Sequence, residues 1–315
     1  MRYITWLLFL SAVYPLNAQT TVDTEAVKKM VVFLFAADAD GNADERQPLG
    51  TGFLIMAPVK GTPNLMGKTA DITGLILLVT ARHIVDPAWA YCSGKERDLV
   101  YMRVNKKNYD PKTDNTGVAY LPVPLAKNGA KQYFVREDDD KVDAAVIPVV
   151  IPKDKYDTRP MRVSLLASSD ESMKLNIGDS VASAGLLPGK SGEKRNYPFF
   201  KFGEISNIPD EPVSIACEKG MPELRLERVW FIAANLVNGN SGSPIFYQPF
   251  PMCLPGTGVT CTRGLNRGAI IGVQSCSFEG ADIAGMTPIE DVFKIMEKNL
   301  RPDVDLYRGD ETERK

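Results

Sequence analysis

The chain has 315 residues, of which 44% are apolar and 24% charged, a balance typical of a globular protein with a core of its own. Its 37 basic and 39 acidic residues give a net charge of −2, which argues against a nucleic-acid binder, because such proteins carry a basic excess. His83 is the only histidine, so mechanisms that need two histidines are excluded, including H-E-x-x-H zinc sites.

The first 18 residues have the layout of a secretory signal peptide. Arg2 precedes a short apolar run, and a small residue, Ala18, stands before the expected cut. Pro15 ends the run well short of the roughly 20 apolar residues of a membrane span. We therefore expect residues 1–18 to be removed from an exported protein, periplasmic or secreted, with no membrane segment afterwards.

Five cysteines occur in the chain: Cys92, Cys217, Cys253, Cys261 and Cys276. In an oxidising compartment some of them should form disulfides. Cys253 and Cys261 flank a loop rich in Pro, Gly and Thr, so a local disulfide between them is one expectation. The odd count leaves at least one thiol free or shared between chains, and the rest of the pairing stays open.

The rest of the chain consists mostly of short apolar runs separated by Gly, Pro and Asn, which favours strands over helices. The predicted strands cover residues 30–35, 52–56, 75–80, 99–104, 144–150, 161–166, 179–184, 228–233 and 269–273. No long helical pattern alternates with them, so a parallel βαβ sheet is disfavoured and an all-β barrel or sandwich is predicted. The charged run 136–141 is expected to be a solvated loop.

One helix is predicted near the end of the chain, over residues 288–300. Thr287 and Glu290 have the spacing of a capping box, with Pro288 at the first helical position. Apolar residues then recur at helical spacing, at Ile289, Val292, Phe293, Met296 and Leu300. Residues 301–315 are expected to form a loose polar tail.

A serine between glycines is the first candidate for catalytic chemistry. Gly239, Gly242 and their neighbours permit a tight turn that exposes the Ser241 hydroxyl and directs backbone N–H groups to one point. A serine hydroxyl is a weak nucleophile and needs a general base, and His83 is the only histidine available. His83 follows the apolar run 77–79, which predicts its position at a strand end or in the first turn beyond it.

A histidine base needs a carboxylate to fix its tautomer. Asp143 stands out among the acids between residues 83 and 241, because it opens the apolar strand 144–148 and would be held partly buried at the edge of that strand. Asp138, Asp139 and Asp140 lie in the charged run and are expected to be solvated.

Together these segments resemble the trypsin-like serine peptidases. Residues 80–83 (TARH) are similar to the family's T-A-x-H segment, 143–146 (DAAV) to D-I-A-L/V, and 239–244 (GNSGSP) to G-[DN]-S-G-G-P. The order His, Asp, Ser is also that of the family.

The resemblance is closest to bacterial protease domains of the HtrA/DegP type and covers about residues 28–300. Residues 49–55, 178–189 and 268–273 are similar to further segments of those domains. Because only about fifteen residues follow, no PDZ domain is expected.

This resemblance implies an all-β peptidase domain over residues 19–300, made of two six-stranded antiparallel β-barrels of the chymotrypsin type with a C-terminal helix. The first barrel would span about 28–150, the second about 155–285, with the site between them. The resemblance further implies a protein or peptide as substrate and no metal or organic cofactor. The oligomeric state is left open.

The same resemblance assigns roles to the candidate residues. Ser241 would attack the peptide carbonyl, His83 would act as general base and then general acid, and Asp143 would orient His83. The N–H groups of Gly239 and Ser241 would form the oxyanion hole.

The sequence departs from the family pattern at two positions. Ser243 replaces the usual second glycine after the nucleophile, and because its added side chain is small, activity is expected to survive. Arg82 precedes His83, and a cation there would disfavour the imidazolium unless its side chain turns to solvent.

Asn235, six residues before Ser241, stands where the family places the floor of the S1 pocket, and Val273, Gln274 and Ser275 would form its wall. Since no aspartate occupies the floor, strict Lys/Arg preference is not expected, and an uncharged pocket predicts apolar or small P1 residues.

An α/β-hydrolase esterase is excluded, because its G-x-S-x-G elbow fails at Ser243 and no histidine follows Ser241. The remaining alternative to a peptidase is a catalytically inactive binding protein on the protease fold.

Overall fold

The computed structural model describes residues 23–59, 74–89, 96–190, 192–216, 224–237, 239–248, 265, 267–278 and 280–306. The predicted signal peptide and the loop between Cys253 and Cys261 lie outside these residues, as do Cys92 and Cys217. Cys276 is described and is a free thiol. The disulfide between Cys253 and Cys261 therefore stays a prediction.

The first half of the described chain forms a curled, mainly antiparallel sheet. Its strands are β1 (Val31–Ala37), β2 (Ala43–Pro58), β3 (Gly74–Thr80), β4 (Leu99–Asn105), β5 (Val118–Pro124), β8 (Ala145–Pro148) and β9 (Met161–Arg162), and a small separate hairpin is formed by β6 (Ala126–Lys127) and β7 (Ala130–Lys131). The strand order is β5-β4-β1-β2-β3-β8, and β9 pairs in parallel with β2.

Backbone hydrogen bonds from one segment connect the two edges of this sheet. After β7, the N–H of Gln132 donates to the carbonyl of Leu125, just beyond β5, at 2.9 Å. Phe134 and Val146 of β8 exchange backbone hydrogen bonds of 2.8 and 3.0 Å. The sheet thus curls towards a barrel, although its regular ladder stays open between β5 and β8.

The second half forms a closed six-stranded antiparallel barrel. Its strands are β10 (Ser180–Gly185), β11 (Phe199–Asn207), β14 (Trp230–Ala233), β15 (Pro244–Tyr247), β16 (Ala269–Phe278) and β17 (Ile283–Pro288), in the order β10-β11-β14-β17-β16-β15. A separate hairpin consists of β12 (Val213–Ala216) and β13 (Leu224–Glu227). With the curled sheet and a C-terminal helix, this architecture confirms the chymotrypsin-like fold.

Four helices accompany the strands in the described residues: α1 (Thr24–Met30), α2 (Arg82–Val85), α3 (Ser169–Ser172) and α4 (Ile289–Asn299). The predicted strand over 161–166 is wrong beyond Arg162, because a 3-10 turn over Val163–Leu165 follows β9. That turn buries Val163 and Leu166, so the apolar run reaches the core without continuing as a strand.

The C-terminal helix is present, but its predicted capping box is wrong. Thr287 belongs to β17, where it pairs with Val273 of β16, and α4 begins at Ile289 without a side-chain cap. The Thr287 hydroxyl instead donates to the backbone carbonyl of Asp143 at 3.2 Å. Because Thr287 is held by strand pairing, its hydroxyl cannot reach the helix N-terminus. The capping pattern in the sequence therefore gave a wrong prediction.

Apolar residues of both halves and of α4 share one core. Phe33 and Phe53 of the curled sheet, Phe246 of the barrel and Val292 of α4 are all buried. Two residues of the predicted loose tail, Val304 and Leu306, are also buried in this core, and the N–H of Asp305 donates to the carbonyl of Pro58 at 2.7 Å. The prediction of a loose polar tail is therefore wrong for residues 304–306, which pack against the body of the protein.

The charged run 136–141 is solvated only in part. Asp138 and Asp140 are exposed, but the Arg136 side chain is 12% exposed and donates through Nη1 to Asp291 Oδ1 of α4 at 2.8 Å. Asp139 accepts a hydrogen bond from Arg228 at 2.9 Å. Asp291 is fully buried, and burial raises its pKa while the nearby cations lower it. Arg136 therefore compensates a buried carboxylate.

We predict that Arg136→Met destabilises the protein by about 3 kcal/mol, because Asp291 stays buried without its closest cation. Urea unfolding followed by circular dichroism measures this loss. The double variant Arg136→Met/Asp291→Leu should recover most of it, since it replaces both charges by apolar groups. Equal instability of the single and double variants would contradict the argument.

Candidate active site

His83 and Asp143 are brought together by neighbouring strands of the curled sheet. β3 ends at Thr80, and α2 carries His83 immediately beyond it, as the sequence predicts. Asp143 stands just before β8, whose Ala145 pairs with Thr80. His83 Nδ1 lies 2.7 Å from Asp143 Oδ2, and the His83 backbone N–H donates to Asp143 Oδ1 at 3.0 Å. One carboxylate thus fixes both the ring and the backbone of His83.

Asp143 is fully buried rather than partly buried. Burial alone raises the pKa of this carboxyl, but the contacts with His83 and with the Arg225 guanidinium outweigh it, so the pKa lies below its ordinary value. Arg225 Nη2 is 3.6 Å from Asp143 Oδ2. Asp143 is therefore ionised at neutral pH, with a hydrogen bond to His83 on one side and the Arg225 guanidinium on the other.

Ser241 lies in a tight turn before β15 that requires glycine on both sides. Gly239 has φ +94° and Gly242 has φ +84°. A Cβ at Gly242 would lie 2.0 Å from the carbonyl oxygen of Thr51 and 3.1 Å from the N of Ala81, two residues before His83. The turn therefore packs directly on the segment that leads into His83.

Two side chains hold the Ser241 turn in place. Thr51 of β2 donates from Oγ1 to the carbonyl of Gly239 at 3.0 Å and accepts from the N–H of Leu186 at 2.9 Å. Asn240 donates through Nδ2 to the Leu186 carbonyl at 2.8 Å and accepts from the Val237 N–H at 3.0 Å. These bonds connect the turn to both halves of the fold.

Within the described residues, no hydrogen bond uses the N–H groups of Gly239 or Ser241. Ser241 Oγ donates to the carbonyl of Ser275 at 3.5 Å, and within the described part of the chain this hydroxyl makes no hydrogen bond to His83. The His83 side chain is 26% exposed. The backbone N–H groups of Gly239 and Ser241, the Ser241 hydroxyl and the accessible imidazole of His83 therefore lie in the same region of the fold.

Ser243 fits into its buried position because the residue facing it on a neighbouring strand is a glycine. It is fully buried, and its Oγ has no hydrogen-bond partner in the described part of the chain. A Cβ at Gly185 of β10 would lie 2.0 Å from this Oγ. The hydroxymethyl group of Ser243 thus occupies the space that Gly185 leaves open.

We predict that Gly185→Ala destabilises the protein by about 1–3 kcal/mol through overpacking against Ser243. Gly185→Ala/Ser243→Ala should regain most of that stability, and Ser243→Ala alone should change it by less than about 1 kcal/mol because it only removes an unpaired hydroxyl. Urea unfolding of all three variants measures the coupling. Strictly additive effects in this cycle would disprove the contact.

Arg82 does not turn to solvent. Its side chain is 12% exposed, contacts Asp86 Oδ2 through Nε at 3.4 Å, and lies with Cζ 4.9 Å from the centre of the Trp89 ring. Asp86 and Trp89 thus hold the cation in place.

The predicted pocket residues lie in two places. Asn235 is exposed, and its carbonyl accepts a hydrogen bond from Lys201 Nζ of β11 at 2.5 Å. Val273, Gln274 and Ser275 are buried in β16. The β16–β17 register shifts between Gln274 and Cys276, and the Ser275 carbonyl there accepts from Ser241. Sequence reasoning missed Lys201, because only the pairing of the barrel strands brings β11 beside Asn235.

A buried ion pair on β13 was also missed. Arg225 and Glu227 are 5% and 0% exposed, whereas Leu226 between them is 49% exposed. An alternating strand ordinarily turns its apolar residues inward, so the local pattern predicts the opposite orientation. No signal in the sequence reveals this pair.

Within the described ranges, no group of three or more His, Cys, Asp and Glu side chains is placed to hold a metal ion. The helices of those ranges include none that is long and apolar enough to cross a membrane.

No family model matches this chain, and no curated protein matches it in sequence. Solved structures do match its fold. The MamO protease domain from Magnetospirillum magneticum is 12% identical with a TM-score of 0.45, over 86% of this chain and 98% of that one. The active form of the Rv3671c protease from M. tuberculosis is 17% identical with a TM-score of 0.46, over 87% and 82% of the two chains.

The HtrA-type protease AlgW with a decapeptide is 13% identical with a TM-score of 0.44, over 87% of this chain and 65% of that one. Identities and TM-scores this low carry no inference about activity or substrate. The resemblance to trypsin-like protease domains is instead confirmed at the level of the fold by the closed barrel, the curled sheet and the C-terminal helix.

Proposed function

We propose that this protein is a serine endopeptidase that uses Ser241, His83 and Asp143. The observation that carries the proposal is the fully buried Asp143 carboxylate bonded to both the ring and the backbone N–H of His83. The glycine turn that presents Ser241 packs on the segment leading into His83. A nucleophile, a base and a group that orients the base are the three components needed for acyl transfer.

The contact with Asp143 sets the tautomer of His83 in this mechanism. With Nδ1–H donated to the carboxylate, Nε2 is left to accept the proton of the Ser241 hydroxyl and to return it to the leaving amine. Asp143 stays ionised and stabilises the imidazolium that forms. Attack gives an acyl-enzyme on Ser241, which water then hydrolyses.

The N–H groups of Gly239 and Ser241 are proposed as the oxyanion hole. Neither is used by a hydrogen bond of the described residues, and the positive φ of Gly239 gives the turn a shape that other residues rarely adopt. Loss of one such donor typically costs about 2.7–4 kcal/mol of transition-state stabilisation.

For specificity, we propose apolar or small P1 residues, with Asn235, Val273, Gln274 and Ser275 lining the pocket. The Lys201 ammonium beside Asn235 adds a reason to reject basic P1 residues, because like charges repel.

A catalytically inactive binding protein is the second candidate. The observation that favours it is the Ser241 hydroxyl, which donates to the Ser275 carbonyl and not to His83. In an unliganded protease such bonds are often loose and tighten only with substrate bound, so this geometry leaves the peptidase as the better-supported function.

We predict that a fluorophosphonate probe labels wild-type protein at Ser241, as located by mass spectrometry. Ser241→Ala and His83→Ala should abolish labelling, and Asp143→Asn should slow it by about 10⁴-fold because the tautomer of His83 becomes wrong. Ser243→Ala is the matched control for a neighbouring serine and should keep labelling. A folded wild-type protein that is not labelled would favour the binding protein.

We also propose that the protein is exported, on the pattern of residues 1–18, which lie outside the described residues. Expression of the full chain in a Gram-negative host should give a periplasmic protein that begins at Gln19. N-terminal sequencing of the periplasmic and cytoplasmic fractions tests this. An uncleaved chain confined to the cytoplasm would refute it.

A further inference from the structure

Two charged side chains are buried behind the His83–Asp143 pair. Arg225 and Glu227 point inward from β13, with side chains 4% and 0% exposed. Arg225 Nη2 lies 3.6 Å from Asp143 Oδ2, and Arg225 Nε donates to Glu227 Oε1. The hairpin β12–β13 therefore adds an ion pair directly to the carboxylate that holds His83.

Aromatic stacking fixes the position of the Arg225 guanidinium. Its Cζ lies 4.4 Å from the centre of the Trp89 ring, and Arg82 lies 4.9 Å from the same ring. Trp89 is buried and donates through Nε1 to the carbonyl of Asp140 at 2.8 Å. A stacked guanidinium with two carboxylate neighbours has little freedom to move away from Asp143.

The orientation of β13 is unfavourable for simple packing. Leu226 is 49% exposed while its charged neighbours are buried. A buried ion pair rarely stabilises a fold more than apolar residues of the same size would. Compensation of the buried Asp143 carboxylate accounts for the inward position of Arg225, but stability alone gives no reason for burying a second carboxylate, Glu227, beside it.

We propose that Arg225 and Glu227 are positioning residues that act through Asp143 on the protonation of His83, so that the β12–β13 hairpin tunes the general base. The proposal rests on the proposed peptidase function for its catalytic meaning, although the charge coupling itself can be measured without any activity.

The charges in this buried group explain the direction of the effect. When His83 is neutral, ionised Asp143 and Glu227 with Arg225 leave one net negative charge, and protonation of His83 cancels it. Arg82 also faces Asp143, but it is paired with Asp86, so that pair adds no net charge. Ionised Glu227 therefore favours the imidazolium, which is the form of His83 generated during acyl transfer.

Glu227 titrates in the range where this coupling matters. Burial and the nearby Asp143 charge raise the pKa of Glu227, and Arg225 and His83 lower it, with a net rise to about 7. The Cys276 thiol is the other titratable group facing it, and burial raises the pKa of that thiol to about 12, so it stays neutral. Because the charges of Asp143 and His83 both act on Glu227, protonation of one member of this buried group changes the charge that the others experience.

The single histidine allows a direct test on the whole protein. NMR of protein labelled with ¹³C,¹⁵N-histidine reports the His83 ring alone as pH is varied. In Glu227→Gln we expect the titration midpoint to fall by about 0.5–1 pH unit and the curve to become a single step. Glu227→Asp should retain the interacting, broadened titration, and Glu204→Gln, the same charge change at an exposed site on β11, should behave as wild type.

A Glu227→Gln midpoint within about 0.2 unit of wild type would overturn the proposal. If that variant does not fold, Arg225→Gln decides, because loss of this cation should raise the His83 midpoint, and an unchanged midpoint would overturn the proposal. Fluorophosphonate labelling separates the two proposals. Labelling without a His83 shift refutes only the tuning role, whereas a His83 shift without labelling refutes only the peptidase.

Discussion

The buried carboxylate of Asp143 lies where several parts of the chain meet. Its side chain holds the ring and the backbone of His83, its backbone carbonyl accepts from Thr287 of β17, and Arg225 of β13 approaches from behind. Because an uncompensated buried charge is costly, the contacts from His83 and Arg225 must be in place for Asp143 to remain ionised. Through its side chain and its backbone, Asp143 thus links the first sheet, the barrel and the β12–β13 hairpin.

The contact between the two halves is equally specific at the Ser241 turn. The N–H of Thr51 in β2 donates to the carbonyl of Ser241 at 2.8 Å, and the N–H of Gly242 donates to that of Gln274 in β16 at 2.7 Å. Gly242 has no Cβ to separate these strands. The same close packing that positions the Ser241 turn therefore also joins the curled sheet to the barrel. A substitution that separates the two halves at this point would also displace Ser241.

Sequence patterns predicted the strands and the helix whose formation depends on neighbouring residues in the chain. Apolar runs identified β1, β3, β4, β8 and β10, and helical spacing identified α4, because burial of one face is visible in a short window. Other elements were missed, including β5, whose apolar run contains Pro122 and Pro124, as well as β11 and both strands of the β12–β13 hairpin. Thr287 shows the limit, since its capping pattern was overridden by strand pairing with Val273.

The sequence by itself determined the candidate residues His83, Asp143 and Ser241, because a lone histidine, an acid opening a strand and a serine between glycines are local features. It also determined that Gly239 and Gly242 could take left-handed conformations. Only the tertiary structure decided that Arg225 and Glu227 face inward while Leu226 faces solvent, and that Gly185 makes room for Ser243. Both outcomes depend on contacts between strands that are far apart in the chain. The free energy of such contacts cannot be inferred from a short stretch of sequence.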